Sequence, residues 1–429
     1  MKNSGAVAIG AVITAALGFM YWWLAARSFP PEVIGKTSAL LSLMGLVGLL
    51  GEGGFGTLLT GEIICHPGRE RGLIGAAALV TLAMSLAAGG LLLLLSGPAS
   101  RTLGGVGSSR LSELWFIIGC ALTGLSLVID QAFVGMLQSN LRMLRQFLFS
   151  ACKLALIAVV ASWSGDEATI LFSWVASQMV SLVVVEVLAR KRGGSLFQRP
   201  DFSLLRGLKG KVVSHYMLDV SIQAPSIILP YLVTVLLSPA SNAAFSAIWM
   251  VLLVGSVIPA ALATVLFPVI RAEPDQYREK MLLSLGASLA FAIAFSSFLF
   301  TYSTEILSLF NPAYAEIGGS NLRFLGFGVI GAVVKFHICA GARLTNSMRK
   351  ASIWFCLGGL AELVAATVGC RLGGLEGLSI GWAAALLIEG VVMLLIAVCV
   401  TQWTSALPLG TRLKDADQPA SELLKNQPR

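Results

Sequence analysis

Residues 25–59, AARSFPPEVIGKTSALLSLMGLVGLLGEGGFGTLL, carry the strongest structural signals in the chain. An apolar segment ends at Arg27, the turn FPPE follows at 29–32, and a second apolar segment runs into the glycine-rich residues 51–56. Proline fixes φ and disfavours helix at the residue before it, so this pattern predicts a sharp turn between two antiparallel neighbouring helices. The glycines favour close approach between membrane helices.

The composition indicates that the rest of the chain lies in a membrane as well. The mean hydropathy is +0.83, and only 12% of the 429 residues are charged, roughly half of what a soluble chain carries. Apolar runs of about twenty residues recur, long enough to cross a hydrocarbon core of about 30 Å. The first of these runs lacks a convincing cleavage motif, so it is interpreted as a helix and not as a removed signal peptide.

Window hydropathy predicts about twelve membrane spans and an all-α polytopic protein. The net charge of +8 comes from basic residues that lie in loops with few aromatic residues between them, which indicates topology signals and no nucleic-acid partner. The predicted spans are 6–26, 33–59, 72–95, 111–136, 147–163, 168–189, 212–237, 241–268, 281–302, 320–342, 351–371 and 376–401.

The distribution of Lys and Arg predicts the orientation. About 17 of them fall in the even-numbered loops and about 6 at or beside the odd-numbered ones, which predicts cytoplasmic N- and C-termini. The loop at 190–211 is the longest and most basic. Its alternation of basic and apolar residues is typical of a short helix on the anionic inner leaflet, or of an ordinary solvated loop that sets topology.

The two halves of the chain repeat. Adding about 208 to each residue number superposes the two sets of spans, and Pro31 then matches Pro239 while Ser38 matches Ser246. Six spans is an even number, so the halves are predicted to be two six-helix bundles related by a pseudo-two-fold axis along the membrane normal. A cleft between the bundles is the expected place for a substrate. The predicted parts are an N-lobe at 1–195, a basic cytoplasmic connector at 196–211, a C-lobe at 212–402 and a cytoplasmic tail at 403–429.

Ionisable and polar side chains within the spans are candidate site residues, because such groups at depth usually face a bundle interior or a watery cavity. At 1.5 Å per residue most of them are expected in the inner half of the bilayer, around a vestibule that would receive an anionic headgroup. The alternative is that they form structural ion pairs or extend to the interface. The candidates are Glu52, Asp130, Lys153, Asp219, Gln223, Lys335 and His337, with Arg27 at the outer interface and Glu362 and Glu389 nearer mid-depth.

One pair among these residues is predicted to form an inner gate. Shifting Asp130 by about 208 gives Ile338, one helical turn from Lys335, so the two charges are expected at matched depth across the pseudo-two-fold axis. They would then pair when the outer side is open. His337 by itself is typical of a hydrogen-bonded core histidine, and Arg27 is as consistent with structural anchoring as with substrate contact.

No pattern for catalysis, metal binding or a cofactor is present in the sequence. The three histidines and seven cysteines lack metal-ligand or redox spacing, and there is no P-loop or nucleophile elbow. The chain is therefore not expected to be an enzyme or to bind ATP.

The turn at 29–32, the preceding Arg27 and the glycine-rich segment resemble the first hairpin of oligosaccharide and O-antigen flippases of the MOP (multidrug/oligosaccharidyl-lipid/polysaccharide) superfamily. The resemblance implies a MATE-like, two-lobed flippase in the bacterial inner membrane. Its substrate would be a lipid-linked oligosaccharide of the undecaprenyl-pyrophosphate type, used for O-antigen, lipopolysaccharide or exopolysaccharide. The resemblance also implies alternating access, coupling to H⁺ or Na⁺, and polymerase or export partners.

The resemblance further implies that the helices with interior prolines bend as a gate. The prolines themselves predict kinks, since each frees a carbonyl group, and a static kink that only shapes packing is the alternative. The residues are Pro225, Pro230 and Pro259.

Three other functions remain open from the sequence. A cation-coupled multidrug exporter of the same superfamily would use Glu52, Asp130 and Asp219 as ligands. A membrane polymerase or ligase would need an outer catalytic loop, and the longest external loops are only about 15 to 17 residues, too short for a folded domain. The third is a scaffold that transports nothing.

Overall fold

The computed structural model describes residues 2–95, 109–161, 165–191, 194–272, 276–344 and 348–404, and within these ranges it is helical without strands. Residues 405–429 of the predicted tail lie outside the described part. The helices are α1 (Lys2–Ser28), α2 (Pro31–Glu52), α3 (Phe55–Cys65), α4 (Glu70–Leu95), α5 (Arg110–Gly135), α6 (Ser139–Val160), α7 (Glu167–Lys191), α8 (Phe202–Gly207), α9 (Lys209–Leu236), α10 (Pro239–Ala272), α11 (Tyr277–Ser308), α12 (Pro312–Leu344) and α13 (Met348–Thr404).

The number of spans agrees with the sequence prediction. Ten segments of the described chain are long and apolar enough to cross a membrane. The last of them belongs to α13, whose 57 residues fold back at Gly373 and Gly374, where the backbone leaves helical geometry. The two arms then touch backbone to backbone at Gly369 and Gly377. Counting both arms of α13 and adding α1, a helix of 27 residues, gives the predicted twelve spans.

The predicted turn is present, but the packing around it differs from the prediction. α1 ends at Ser28, and α2 begins at Pro31 with Pro30 in the N-cap position. α1 then packs mainly on α6 and α10, whereas α2 packs on α4, α5, α9 and α10, so the expected antiparallel packing of α1 on α2 is wrong beyond the turn. The close neighbour of α2 at the turn is instead α10: Gly35 of α2 lies against the carbonyl group of Pro239, where any side chain would collide.

The second span is broken, contrary to the prediction of one helix over 33–59. Gly53 and Gly54 have φ of 61° and 79°, a left-handed conformation that glycine adopts without strain. The Glu52 carboxylate accepts hydrogen bonds from the backbone N–H groups of Gly54, at 2.9 Å, and of Gly56. Glu52 thus stabilises the start of α3, because the first N–H groups of a helix have no partner within it.

The pseudo-two-fold axis can be located from one hydrogen bond. Ser246 donates to the hydroxyl of Ser38 at 2.8 Å, and these residues are 208 positions apart. Equivalent residues of two related bundles touch each other only on the axis that relates them. The axis therefore passes between α2 and α10, and α1–α7 and α9–α13 form the two bundles.

The connector between the bundles is attached to the N-terminal bundle. Glu186 of α7 accepts hydrogen bonds from Ser195 and from the backbone N–H of Leu196, at 2.6 and 3.0 Å. Farther along, Arg69 forms an ion pair with Asp201, and hydrogen bonds from Ser203 and Arg69 hold the pKa of Asp201 below its usual value.

The predicted short helix in the connector is present as α8, and it packs on α4. Leu205 and Leu208 are buried in the core of the N-terminal bundle, while Phe197 and Phe202 are 40% and 44% exposed. The connector is thus neither a freely solvated loop nor a helix that rests on lipid alone.

Candidate functional site

The two bundles share one hydrophobic core at one end of the molecule only. We call the end that holds the turn at 29–32 the turn end, and the opposite end, which holds the connector, the connector end. At the turn end a single buried cluster joins α1 to the C-terminal bundle and includes Tyr21, Phe29, Leu229, Phe245 and Phe310. At the connector end, the buried clusters of the described residues each stay within one bundle. The cleft is therefore closed at the turn end.

Hydrogen bonds between the bundles reinforce the closed turn end. The carbonyl oxygen of Leu309 accepts from Trp23 Nε1 at 2.9 Å and from Arg27 Nη2 at 3.0 Å. The Arg27 guanidinium also stacks on the Trp23 ring, 4.4 Å from its centroid. Deeper in the interface, Asn242 donates to the carbonyl of Gly35 and to Ser38, at 2.8 and 2.7 Å. In this conformation Arg27 thus anchors one bundle to the other.

At the connector end, acidic residues from both bundles approach each other. Thr57 of α3 donates a 2.8 Å hydrogen bond to Asp219 of α9. The Glu52 carboxylate lies near enough for its charge to interact with that of Asp219. Gln223, one turn beyond Asp219 on α9, is exposed. These residues lie at the connector end of the cleft, and their predicted place in the inner half of the bilayer stays a prediction.

Asp130 is bound within the N-terminal bundle. Its two carboxylate oxygens accept from Nε and Nη2 of Arg145, the latter at 2.5 Å, and Gln146 adds a third hydrogen bond at 3.1 Å. Asp130 and Arg145 are only 7% and 5% exposed. A two-point contact between buried opposite charges leaves Asp130 fully occupied.

Lys335 is bound within the C-terminal bundle. Its ammonium group donates to Glu362 at 2.6 Å and to Glu389 at 3.1 Å, and Trp382 Nε1 donates to the other oxygen of Glu362 at 2.9 Å. In this conformation Asp130 and Lys335 are thus each paired within their own bundle. The predicted pairing of Asp130 with Lys335 concerns the state that is open at the outer side, and it stays a prediction. Sequence spacing gives the depth of a side chain but not which opposite charge is nearest to it.

Lys153 has a different environment, and its predicted depth was wrong. α6 begins at Ser139, well before the predicted start at 147, so Lys153 lies about 21 Å from the first residue of the helix and about 10 Å from the last. It is therefore nearer the turn end than the inner half of the bilayer. The hydropathy window missed the first turns of α6 because they are polar.

The Lys153 ammonium group is enclosed by aromatic faces. Nζ lies 4.1 Å from the ring centroid of Trp174, 4.7 Å from that of Phe149 and 5.1 Å from that of Tyr21. The residue is 5% exposed, and among the described residues no carboxylate is within ion-pair distance of it. Ring faces attract a cation, but they do not neutralise it. Lys153 is thus a buried positive charge that an anion would satisfy.

The remaining predicted residues serve packing in this conformation. His337 is hydrogen-bonded at both ring nitrogens, to the Val333 carbonyl at 2.8 Å and to Ser284 at 3.0 Å. The three interior prolines are buried in helices that continue through them. Gly359 of α13 lies against Pro225 beside the carbonyl of Ser221, one of the carbonyls that these prolines free. Whether these helices bend stays a prediction.

Sequence reasoning missed Arg145 and Asn242. The predicted span began at 147, which placed Arg145 in a loop, although it lies within α6. Asn242 is a fully buried amide in an apolar helix. Its place in an apolar run of the sequence could have identified it, because a polar side chain buried in a membrane helix needs a partner on another helix.

The fold is that of MOP superfamily transporters. The inward-facing structure of a multidrug resistance MATE family transporter of that superfamily matches with a TM-score of 0.72, 16% identity, and coverage of 92% of this chain and 96% of that one. The outward-facing structure of such a transporter matches with a TM-score of 0.64, 16% identity, and coverage of 95% of this chain and 96% of that one. A MOP superfamily transporter from Pyrococcus furiosus Vc1 (DSM3638), described as having a binding pocket of reverse polarity, matches with a TM-score of 0.63, 17% identity, and coverage of 92% of this chain and 94% of that one.

The sequence itself identifies the family. The model of the family described as polysaccharide biosynthesis protein matches residues 1–272, more than half of the chain. The chain belongs to this family. No curated protein has a matching sequence.

Proposed function

We propose that the protein is a flippase that moves a lipid-linked oligosaccharide of the undecaprenyl-pyrophosphate type across the bacterial cytoplasmic membrane, for cell-surface polysaccharide such as O-antigen. The family supports a role in polysaccharide biosynthesis, and the fold supports transport and no enzymatic activity. Translocation would proceed by alternating access of the two bundles and would be coupled to an ion. Polymerase or export proteins would be its partners.

The observation that carries this proposal is the buried ammonium group of Lys153. Lys153 is enclosed by aromatic rings and has no described carboxylate partner, which favours an anionic ligand such as a pyrophosphate. Asp130, by contrast, is occupied by Arg145, and Glu52 by backbone N–H groups. A multidrug exporter for cations would need such carboxylates to be available, so the engagement of these two favours the flippase over this rival.

The closed turn end supports the direction of transport. With its bundles joined at that end, the protein would accept the headgroup from the connector end, which the distribution of positive charges predicts to be cytoplasmic. Release on the other side would require the hydrogen bonds to Leu309 and the contact between α2 and α10 to open.

The proposal is tested with purified protein in vesicles. Vesicles that contain the protein and a short undecaprenyl-pyrophosphate-linked oligosaccharide should lose protection of the sugar from an external glycosidase faster than protein-free vesicles. A second set of vesicles measures efflux of a cationic dye. Flipping without dye efflux supports the flippase, whereas dye efflux without flipping would establish the multidrug exporter.

The proposed topology gives a separate prediction. In a variant without native cysteines, a cysteine at Asp166 or Glu305 should react with an impermeant thiol reagent in intact cells, because positive residues are retained on the cytoplasmic side. A cysteine at Phe197 in the connector should react only after the cells are opened. Reaction at Phe197 in intact cells would reverse the orientation and contradict cytoplasmic termini.

A further inference from the structure

We propose that Lys335, Glu362 and Glu389, here called the triad, hold one exchangeable proton between the two carboxyl groups, and that this proton, not a metal cation, is the ion coupled to transport. The coupling of this proton to transport rests on the proposed function. The presence of the shared proton does not depend on it.

The charge count within the triad is the first step. Glu362 and Glu389 bind the same ammonium group and are 3% and 9% exposed, and Lys335 is 7% exposed. If both carboxyl groups are ionised, the triad carries a net charge of −1 inside the membrane. An uncompensated charge at such depth is unfavourable, so one more positive charge is needed.

The contacts of Glu389 indicate where this additional positive charge is bound. Oε2 of Glu389 accepts from Lys335, but its buried Oε1 has no described hydrogen-bond partner. Glu362 and Glu389 face each other around the same ammonium group, at 2.6 and 3.1 Å from Lys335 Nζ. Two carboxylates have only acceptors and cannot bond to each other, whereas one proton between them forms an O–H···O bond. Two carboxyl groups that share a site in this way hold a proton jointly.

Because Lys335 lies between the two carboxyl groups, the triad is better suited to bind a proton than a metal ion. Its ammonium group already occupies the space between the two carboxyl groups as a tethered cation. The Cα of Gly358 closes the side at Glu389, and the indole N–H of Trp382 occupies the remaining oxygen of Glu362. A metal ion would need several oxygen ligands, and too few are left here.

Other titratable groups on the packed helices are engaged elsewhere or lie apart. Asp219 on α9 accepts from Thr57, His337 is bonded at both ring nitrogens, and Arg323 donates to Ser303. Tyr216 on α9 interacts with Glu52, and Tyr277 on α11 lies beside Gly341. Among the described side chains, the proton therefore belongs to the two glutamates.

The triad spans three segments of the C-terminal bundle, namely α12 and both arms of α13. The first arm of α13 also contacts α9 where Gly359 meets Pro225. Loss of the proton would leave two repelling carboxylates on the two arms. Protonation is thereby linked to the packing of these arms against α9, which lines the cleft.

The test of the proton uses infrared spectroscopy on purified protein. Wild type at neutral pH should show a carboxylic acid C=O band that is lost in Glu389→Gln and in Glu362→Gln. The band should remain in the matched control Glu305→Gln, which alters an exposed glutamate. Glutamine at either position keeps the shape and supplies an N–H donor, so these variants should fold. A band that persists in both single variants, or is absent from wild type, would overturn the proposal.

The metal alternative is tested by thermal unfolding in sodium or choline chloride. The Tm of wild type should not depend on Na⁺, whereas Lys335→Gln, which removes the tethered cation, should gain a Na⁺-dependent rise. A Na⁺-dependent rise in wild type that Glu389→Gln abolishes would overturn the choice of a proton.

Coupling is tested in the vesicle assay. A pH gradient should change the flipping rate of wild type, and Glu389→Gln should lose that response. An unchanged response in Glu389→Gln would overturn the coupling role. Absence of flipping by wild type would instead contradict the proposed function, and the infrared result would stand independently of it.

Discussion

Replacing Lys153 by methionine is expected to slow flipping of the lipid-linked oligosaccharide at least about tenfold while the protein stays folded. The ammonium group is buried among three rings and no described carboxylate neutralises it, so its removal relieves a cost of burial and should leave the Tm unchanged or higher. The anionic headgroup would lose its partner, and the rate should fall by about tenfold or more, since a hydrogen bond to a charged group is worth about 1.5–3 kcal/mol. The measurement is the glycosidase-protection assay in vesicles.

Two variants serve as controls for Lys153. Lys153→Arg keeps the charge and should retain part of the activity, although a planar guanidinium fits the three rings differently. Lys36→Met removes an exposed lysine near the turn and should flip at the wild-type rate. Normal flipping by Lys153→Met would remove the main support for an anionic ligand at this position.

Replacing Asp130 by asparagine is expected to prevent stable folding. The change leaves Arg145 buried with an uncompensated charge, and breaking a buried ion pair in this way costs about 3–5 kcal/mol. The amount of folded protein recovered from membranes and its Tm in detergent should both fall sharply. Arg145→Met should have a similar effect, because it leaves the carboxylate unpaired.

The double variant Asp130→Asn with Arg145→Met tests whether the loss of folded protein in the single variants is caused by an unpaired buried charge. It removes both charges and should recover most of the folded protein, because loss of both partners leaves no buried charge. The pair Asp130→Lys with Lys335→Asp, which would rescue activity if these two residues formed a gate, should give no rescue. Stable protein from Asp130→Asn alone, or rescue by the pair involving Lys335, would contradict the assignment of Asp130 to Arg145.

The closed turn end depends on small residues whose contact partners cannot be derived from the sequence. Gly35 was part of the predicted turn region, yet its contact partner is Pro239 on the other bundle. Ser38 and Ser246 were matched as repeat equivalents, and only the structure shows that they touch each other. A repeat in sequence cannot give the distance between its copies, which depends on how the two bundles pack.

The sequence by itself determined the membrane class, the twelve spans, the sharp turn at 29–32 and the two related halves. These follow from local properties: hydropathy over about twenty residues, the fixed φ of proline, and a regular spacing of spans. The tertiary structure alone decided which charges are paired and which is not. Within the described part of the chain, Asp130 has Arg145, Lys335 has two glutamates, and Lys153 has only aromatic faces. Electrostatic pairing depends on distances of a few ångströms between side chains on different helices, and linear spacing does not fix such distances.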